Sequence, residues 1–122
     1  MIPIIGEVWN VNGKKTVIVS LHGSLASDDE KRLRSALQSA LGQNPDLIVV
    51  DFTKCPTIAE EPKRALLGVY KQISRKGIIA FAGAGEAIRT SMKPTKLEAL
   101  FTIHRTTLDA LAAFAPPIVL DQ

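Results

Sequence analysis

Leu47-Ile48-Val49-Val50-Asp51-Phe52 is a short, almost wholly apolar stretch that follows the turn-forming residues Asn44-Pro45-Asp46. Its length and its β-branched residues predict a strand that is buried on both faces. Ile78-Ile79-Ala80-Phe81-Ala82 has the same character and predicts a second buried strand. Because parallel strands are joined by crossover helices, the segments around them should alternate between helix and strand.

The segment upstream of this strand predicts a β-hairpin. Residues 5–11 and 15–21 flank Asn12-Gly13, the pair best suited to the two positive φ angles of a type I′ turn. The second arm is β-branched and nearly all apolar, which is typical of a central strand, so the first arm becomes an edge strand. A free edge offers a surface that can pair with another chain.

Between the predicted strands, apolar residues recur at the spacing of amphipathic helices. Ser27 and Glu30 have the spacing of a capping box, and the helix that they would start ends at Gly42. A second helix is predicted to begin near Pro62, because proline suits the first helical position, and to end at Gly77. The apolar stripes that would face the core are Leu33, Ala36, Leu37, Ala40 and Leu41 in the first helix and Leu66, Val69, Tyr70 and Ile73 in the second.

The C-terminal third predicts shorter elements. A helix over residues 86–92 is ended by Pro94, a short strand lies within residues 100–104, and a last helix spans 107–114. The hydrophobic residues 118–120 are left unassigned. The order β-β-α-β-α-β-α-β-α predicts an α/β fold, with a mixed, mostly parallel sheet that starts in an antiparallel hairpin and is packed by about four helices.

Composition excludes several classes of protein. The 122 residues fit one domain over residues 1–122, with 46% hydrophobic and 22% charged residues. Cys55 is the only cysteine, so neither an internal disulfide nor a thiolate metal cluster can form. The isolated His22 and His104 lack the spacing of metal ligands. We therefore predict no metal and no cofactor.

Charge and hydropathy bear on partners and location. The net charge of +3 is spread along the chain and only 5% of residues are aromatic, a pattern that disfavours nucleic-acid binding. No apolar run reaches the ~18 residues that a membrane span requires, and the first residues lack the pattern of a signal peptide. We predict a cytoplasmic protein without a membrane span.

Few residues suggest chemistry. Gly83 and Gly85 lie between a predicted strand and a predicted helix, where phosphates can bind, but Ile88 occupies the place of the third small residue of a dinucleotide motif. A tight turn is the favoured interpretation, and phosphate binding at this turn is the alternative. Cys55 is predicted to be buried and inert, unless folding brings it to His104 as a catalytic pair.

Glu60 and Glu61 are adjacent acids directly before the second predicted helix. Paired carboxylates can perform acid–base chemistry, but negative charge also simply stabilises a helix N-terminus. We favour the second interpretation and predict neither a catalytic residue nor an enzyme.

Four motifs in their order and spacing resemble the STAS domain, the family of sulphate transporters and anti-sigma-factor antagonists. Leu21-His22-Gly23-Ser24-Leu25 is similar to the opening strand and the "G-x-L" turn of that family. Residues 47–52 are similar to its buried "lvlDl" strand. Ala65-Leu66-Leu67, with Gly77 some ten residues later, fits its signature helix, and Thr107-Leu108-Asp109-Ala110-Leu111 fits its closing "tleeAl" helix.

The resemblance covers residues 16–114 and implies a bacterial, SpoIIAA-like regulatory domain that works in signal transduction through protein–protein interaction. The implied partner is an anti-sigma factor of the serine-kinase type or another STAS protein. The N-terminal edge strand offers a second contact surface, and a homodimer is left open. The alternative function that the resemblance implies is binding of a small ligand, a nucleotide or a lipid, with Gly83 and Gly85 as its cradle.

One departure from the family concerns its phosphorylation loop, which reads Asp-Ser-Ser-Gly and accepts phosphate on the first serine. Aligned there, this chain has Ala59-Glu60-Glu61-Pro62, so Glu60 takes the acceptor position and the serine switch is missing. Ala26 likewise replaces the acidic residue that commonly follows "G-x-L". Either the two acids hold the loop in a state that resembles the phosphorylated one, or they merely cap the helix.

The predicted partner surface is the loop before the second helix together with the exposed face of that helix. Its residues are Thr57, Ile58, Ala59, Glu60 and Glu61, with Lys63 and Arg64 at the rim. Reversing the charge of both acids is expected to weaken partner binding while thermal stability stays nearly unchanged.

Overall fold

A computed structural model of the chain describes residues 2–73, 78–95 and 102–114. Within these ranges five strands form one sheet in the order β1-β2-β3-β4-β5, and the predicted fold class is confirmed because only the β1–β2 pair is antiparallel. The strands are β1 Ile4–Val11, β2 Lys14–Leu21, β3 Leu47–Asp51, β4 Ile78–Ala82 and β5 Thr102–His104. The helices are α1 Glu30–Gly42, α2 Glu60–Ile73, α3 Glu86–Met92 and α4 Thr107–Phe114.

The hairpin forms as the sequence predicts. Asn12 and Gly13 have φ angles of 52° and 82°, so both central residues of the turn are in the left-handed region that a type I′ turn requires. The side-chain Oδ1 of Asn10 also accepts from the Gly13 amide at 3.0 Å. From Ile4↔Leu21 to Val11↔Lys14 every residue of β1 has a partner in β2, so this ladder contains no bulge.

The sheet has two unequal cores because alternate residues of a strand point to opposite faces. Val17, Val19 and Leu21 of β2 join the larger core, which α1, α2 and α3 cover. Ile18 points to the other face, where Ala110 and Leu111 of α4 cover a smaller core. The edge-to-face pair of Phe52 and Phe81 (ring centroids 5.1 Å apart), with Leu33, Leu37, Val50, Leu66, Val69, Ile88 and Met92, belongs to the larger core.

The predicted capping box at Ser27 is wrong. Residues Ser27–Asp29 form a 3₁₀ turn, and the carboxylate of Asp29 accepts from the Ala26 amide at 2.8 Å. Asp29 is 3% exposed and its Oδ1 pairs with Arg32 at 3.3 Å. The aspartate two residues later thus performs the capping, and α1 proper begins at Glu30.

The second helix starts two residues earlier than predicted. α2 begins at Glu60, so Pro62 is its third residue. The helix tolerates this proline because the first four N–H groups of a helix have no intrahelical acceptor. Some predicted features lie outside the described residues. They are Gly77 at the predicted end of α2, residues 100 and 101 of the predicted 100–104 strand, and the hydrophobic residues 118–120.

Candidate functional site

Two loops that are far apart in sequence lie side by side at the carboxyl ends of β2 and β3. The Leu25 amide donates to the Thr57 carbonyl at 3.0 Å, and the Ala59 amide donates to the Leu25 carbonyl at 2.8 Å. Leu25 and Ile58 thereby form a parallel β-bridge, and their side chains are 2% and 7% exposed. We call residues 24–27 and 57–61 together the α2 N-terminal surface.

Polar side chains cross-link the outer side of this surface. Thr57 Oγ1 donates to Ser24 Oγ at 2.9 Å, and Ser27 Oγ donates to Glu61 Oε1 at 3.1 Å. Ser24, Ser27, Thr57 and Glu60 are exposed, while Glu61 is half-buried. The surface therefore offers hydroxyls and carboxylates on a backbone that is fixed from both sides.

Lys63 does not lie at the rim of this surface, and its predicted exposed position is wrong. Its side chain is 5% exposed, and its Nζ donates to Glu60 Oε1 at 2.6 Å and to the Ser91 carbonyl at 2.9 Å. The lysine stem packs under the start of α2, and its ammonium ties that start to the last turn of α3. A lysine can be buried in this way because its charge is paired and hydrogen-bonded.

The Glu60–Lys63 pair sets the electrostatics of the loop. The hydrogen bond and the charge of Lys63 hold the pKa of the Glu60 carboxyl below its usual 4.5. A carboxyl with a lowered folded pKa stabilises the protein above pH 4.5, and that contribution is lost as the pH falls through the lowered value. At neutral pH the Glu60 carboxyl is therefore ionised and can pair with Lys63.

The same pair changes the expected outcome of charge reversal. Glu60→Lys would leave the buried ammonium of Lys63 without its anion and would bring a second cation towards it. The earlier expectation of nearly unchanged stability therefore does not hold for any variant that contains this substitution. Arg64, in contrast, is exposed, and its place at the rim of a partner surface stays a prediction.

Comparison with known proteins assigns the family. A family model described as "STAS domain" matches residues 8–110, which is most of the chain. The chain belongs to the STAS domain family. The match also contains both halves of the α2 N-terminal surface. A search of curated protein sequences finds no match.

Solved structures share the fold of this STAS domain at low sequence identity. An anti-sigma factor antagonist from Mycobacterium paratuberculosis aligns with a TM-score of 0.82 and 20% identity, covering 93% of this chain and 94% of its own. The phosphorylated form of the Bacillus cell fate determinant SpoIIAA aligns at 0.68 and 16%, covering 91% and 98%. A sulfate transporter family protein from Wolinella succinogenes aligns at 0.70 and 18%, covering 81% and 84%.

Two further observations concern metals and membranes. In the described part of the STAS domain, no group of three or more His, Cys, Asp or Glu side chains is placed to hold a metal ion. No helix within residues 2–73, 78–95 and 102–114 is long and apolar enough to cross a membrane.

Cys55 and His104 do not form a catalytic pair. Cys55 belongs to the larger core, where it is 2% exposed and its Sγ donates to the Thr57 carbonyl at 3.3 Å. His104 lies opposite Ala82 in the β4–β5 ladder, and Ala82 belongs to the smaller core on the other face of the sheet. His22 follows β2, so two strands separate it from His104.

Native Cys55 is expected to react with iodoacetamide at least about tenfold more slowly than the unfolded chain. Burial raises the pKa of its thiol, which lowers the fraction of reactive thiolate, and the core blocks access to the sulfur. Mass spectrometry of alkylation time courses, with and without denaturant, measures this ratio. Native alkylation at the rate of the unfolded chain would contradict the burial of the sulfur.

The turn at Gly83 and Gly85 has a structural explanation at its first glycine. Gly83 has a φ of +69°, and a Cβ built there would lie 2.2 Å from Thr53 Oγ1 and 2.9 Å from the Thr53 amide nitrogen. The glycine is thus required for the close approach of the β3–α2 loop. Gly85 caps α3 and has open space around it, and a ligand at this turn stays a prediction.

Sequence reasoning singled out the loop before α2 as the candidate site but missed the residues that fix its shape. Leu25 contributes its backbone amide and carbonyl and Ser91 its backbone carbonyl, and such backbone groups leave no mark in the sequence. Glu60 and Lys63 stand three residues apart, a spacing that allows an ion pair on a helix, and this was the one available signal.

Proposed function

We propose that this STAS domain is a non-catalytic regulatory module of a cytoplasmic bacterial signalling system and binds a protein partner through its α2 N-terminal surface. The partner is an anti-sigma factor of the serine-kinase type or another STAS domain. The observation that carries the proposal is the bridge between Leu25 and Ile58, which fixes two loops as one exposed surface. Binding to a fixed surface avoids the entropic cost of ordering a loop.

The fold supports this proposal over an enzymatic one. Solved structures with the same fold include anti-sigma factor antagonists, among them SpoIIAA in both its unphosphorylated and its phosphorylated form. The potential catalytic pair of Cys55 and His104 is separated by the sheet. What the surface does offer is hydrogen-bonding groups and negative charge, which suit recognition of another protein.

We further propose that this surface acts without the standard serine switch. By the STAS resemblance, Glu60 stands at the phosphoacceptor position, and it lacks the hydroxyl that a serine kinase phosphorylates. A phosphoserine carries about −1.5 to −2 charges, whereas Glu60 carries one charge that Lys63 partly neutralises. The charge at position 60 is therefore fixed by the sequence and does not depend on a kinase.

The charge distribution indicates what the partner should present. The exposed hydroxyls of Ser24 and Thr57 lie on this surface together with the carboxylates of Glu60 and Glu61, Asp28 directly follows its first segment, and Arg64 is an exposed cation further along α2. A partner surface rich in Arg, Lys and backbone N–H donors would complement these groups. Salt should then slow association more than it speeds dissociation.

Thr57→Arg is expected to weaken partner binding by about tenfold or more, because the bulky cation stands at the centre of the surface and opposes a basic partner. Thr57 is exposed and makes one side-chain hydrogen bond, to Ser24, so the fold should not depend on it. The measurement is an affinity pull-down from a lysate of the native host, with retained proteins identified and quantified by mass spectrometry.

The matched control is Ser35→Arg, which adds the same side chain at an exposed hydroxyl residue on α1. Wild type and Ser35→Arg should retain the same serine-kinase-type anti-sigma factor or STAS protein, and Thr57→Arg should lose it. Equal retention by Thr57→Arg would place the binding surface elsewhere. If the wild type retains no such protein, the partner class is wrong.

A further inference from the structure

β1 combines a free edge with exposed apolar side chains. Within the described ranges, four large hydrophobic residues are exposed, and three of them belong to β1: Ile5 at 44%, Val8 at 55% and Trp9 at 49%. β2 covers one side of the strand, and no described strand covers the other. Exposed apolar residues are ordinary when scattered, but their concentration on one strand marks a contact surface.

The edge of β1 also lacks the devices that normally prevent strand pairing. The strand is eight residues long, contains no proline or lysine, and runs along β2 without a bulge. Its only charged residue is Glu7. A groove of about 280 Å³ between β1 and α1, lined by Ile4, Gly6 and Val8 among others, leaves the α1 face of the strand uncovered. Such an edge is a template for another strand.

The hairpin determines which backbone groups point outward. In a two-residue turn the flanking residues, Val11 and Lys14, form a hydrogen-bonded pair, and bonding then alternates along the ladder. The odd-numbered residues of β1 therefore bond to β2. The backbone N–H and C=O groups of Ile4, Gly6, Val8 and Asn10 point away from the sheet.

We propose that β1 pairs antiparallel with β1 of a second copy of this chain across a two-fold axis at Val8, which joins two sheets into one. In a continuous sheet, two directly opposed residues have their side chains on the same face. Because side chains alternate between the faces along a strand, the two-fold axis of two identical strands must pass through a residue and not between two residues. The two longest, centred on Glu7 and on Val8, each overlap seven residues of β1.

Charge and hydrogen bonding select the Val8 register. The Glu7 register would place two carboxylates directly opposite each other, which destabilises a strand pair, and its central residues bond inward to β2. In the Val8 register, valine opposes valine, Ile5 opposes Val11, and Glu7 opposes Trp9. The outward groups of Gly6, Val8 and Asn10 then meet as hydrogen-bonded pairs. The strand is complementary to itself, which is the reason for choosing a second copy as the occupant.

Cysteine cross-linking distinguishes the registers. Opposed residues of a hydrogen-bonded antiparallel pair have Cα atoms ~5.5 Å apart, within the range of a disulfide, whereas diagonal neighbours are ~7–8 Å apart. Val8→Cys should form a disulfide-linked dimer under mild oxidation about tenfold faster than Glu7→Cys. Cys55 is buried and should not contribute, which the oxidised wild type controls.

Sedimentation of the full chain tests the association itself. The wild type should sediment as a dimer at high protein concentration, with Trp9 (the single tryptophan of the chain) shifting its emission to shorter wavelength as the dimer forms. Val8→Lys places two cations at the axis and should give a monomer. At protein concentrations where the wild type is also monomeric, the two melting temperatures should agree, because Val8 is exposed in the single copy. A wild type that is monomeric at every concentration, or a Glu7→Cys that cross-links as fast as Val8→Cys, overturns the proposal. Neither result depends on the partner of the α2 N-terminal surface.

Discussion

Replacing Gly83 by alanine is expected to lower the free energy of unfolding by about 3 kcal/mol. A left-handed backbone costs a non-glycine residue roughly 1–2 kcal/mol, and Gly83 has a φ of +69°. The added Cβ would also lie 2.2 Å from Thr53 Oγ1. This contact cannot relax cheaply, because the Thr53 amide and hydroxyl both donate to Asp51 Oδ1, at 2.9 and 2.6 Å.

The neighbouring glycine supplies the matched control. Gly85→Ala should change the free energy of unfolding by less than about 1 kcal/mol, because Gly85 has a φ of −75° and a Cβ there meets nothing within 4 Å. Urea titrations of both variants followed by circular dichroism give the two values. Equal losses at the two positions would show that the packing of Thr53 on Gly83 does not decide the turn.

Lys63→Glu is expected to lower the free energy of unfolding by about 3–5 kcal/mol. The new carboxylate would replace a side chain that is 5% exposed and would face the Glu60 carboxylate and the Ser91 carbonyl, both of which are acceptors. It would thus bury a charge without a partner. Thermal and urea unfolding of the variant measure the loss.

Lys63→Met separates the contribution of the ammonium charge to stability from that of the packed aliphatic stem. Methionine keeps the length of the buried stem and removes only the ammonium, so the loss should be about 1 kcal/mol, mainly from the unpaired Ser91 carbonyl. If methionine costs as much as glutamate, packing of the stem and not the charge determines the stability of this contact.

The sequence predicted the elements whose signals are local. The hairpin followed from Asn12-Gly13, and the buried strands followed from continuous β-branched runs, because a turn type and a strand period are properties of adjacent residues. The start of α2 was misplaced because Pro62 suits the first turn of a helix generally, not only its first residue. Ser27 was misassigned because the carboxylate of Asp29 accepts from the Ala26 amide, one residue before the predicted box.

The candidate site was only half predictable for a different reason. Its loop could be recognised by resemblance, but the bridge that fixes it joins Leu25 to Ile58 across an entire helix and strand of intervening chain. Lys63 has the sequence signature of a surface residue, since lysine is rarely buried. The Lys63 ammonium can be buried because α3 places the Ser91 carbonyl within hydrogen-bonding distance of it. That contact is between residues far apart in sequence and could not be predicted.

The bridge between Leu25 and Ile58 has a consequence for engineering partner choice. Each of the two segments is held in shape by the backbone of the other, through the hydrogen bonds of Leu25 with Thr57 and Ala59. If residues 57–61 alone were grafted onto a related domain, the grafted loop would therefore lack the backbone hydrogen bonds from Leu25 that hold its shape. Under the proposed function, recognition specificity should transfer only when residues 24–27 are moved as well, so the unit of exchange in this domain is a pair of loops.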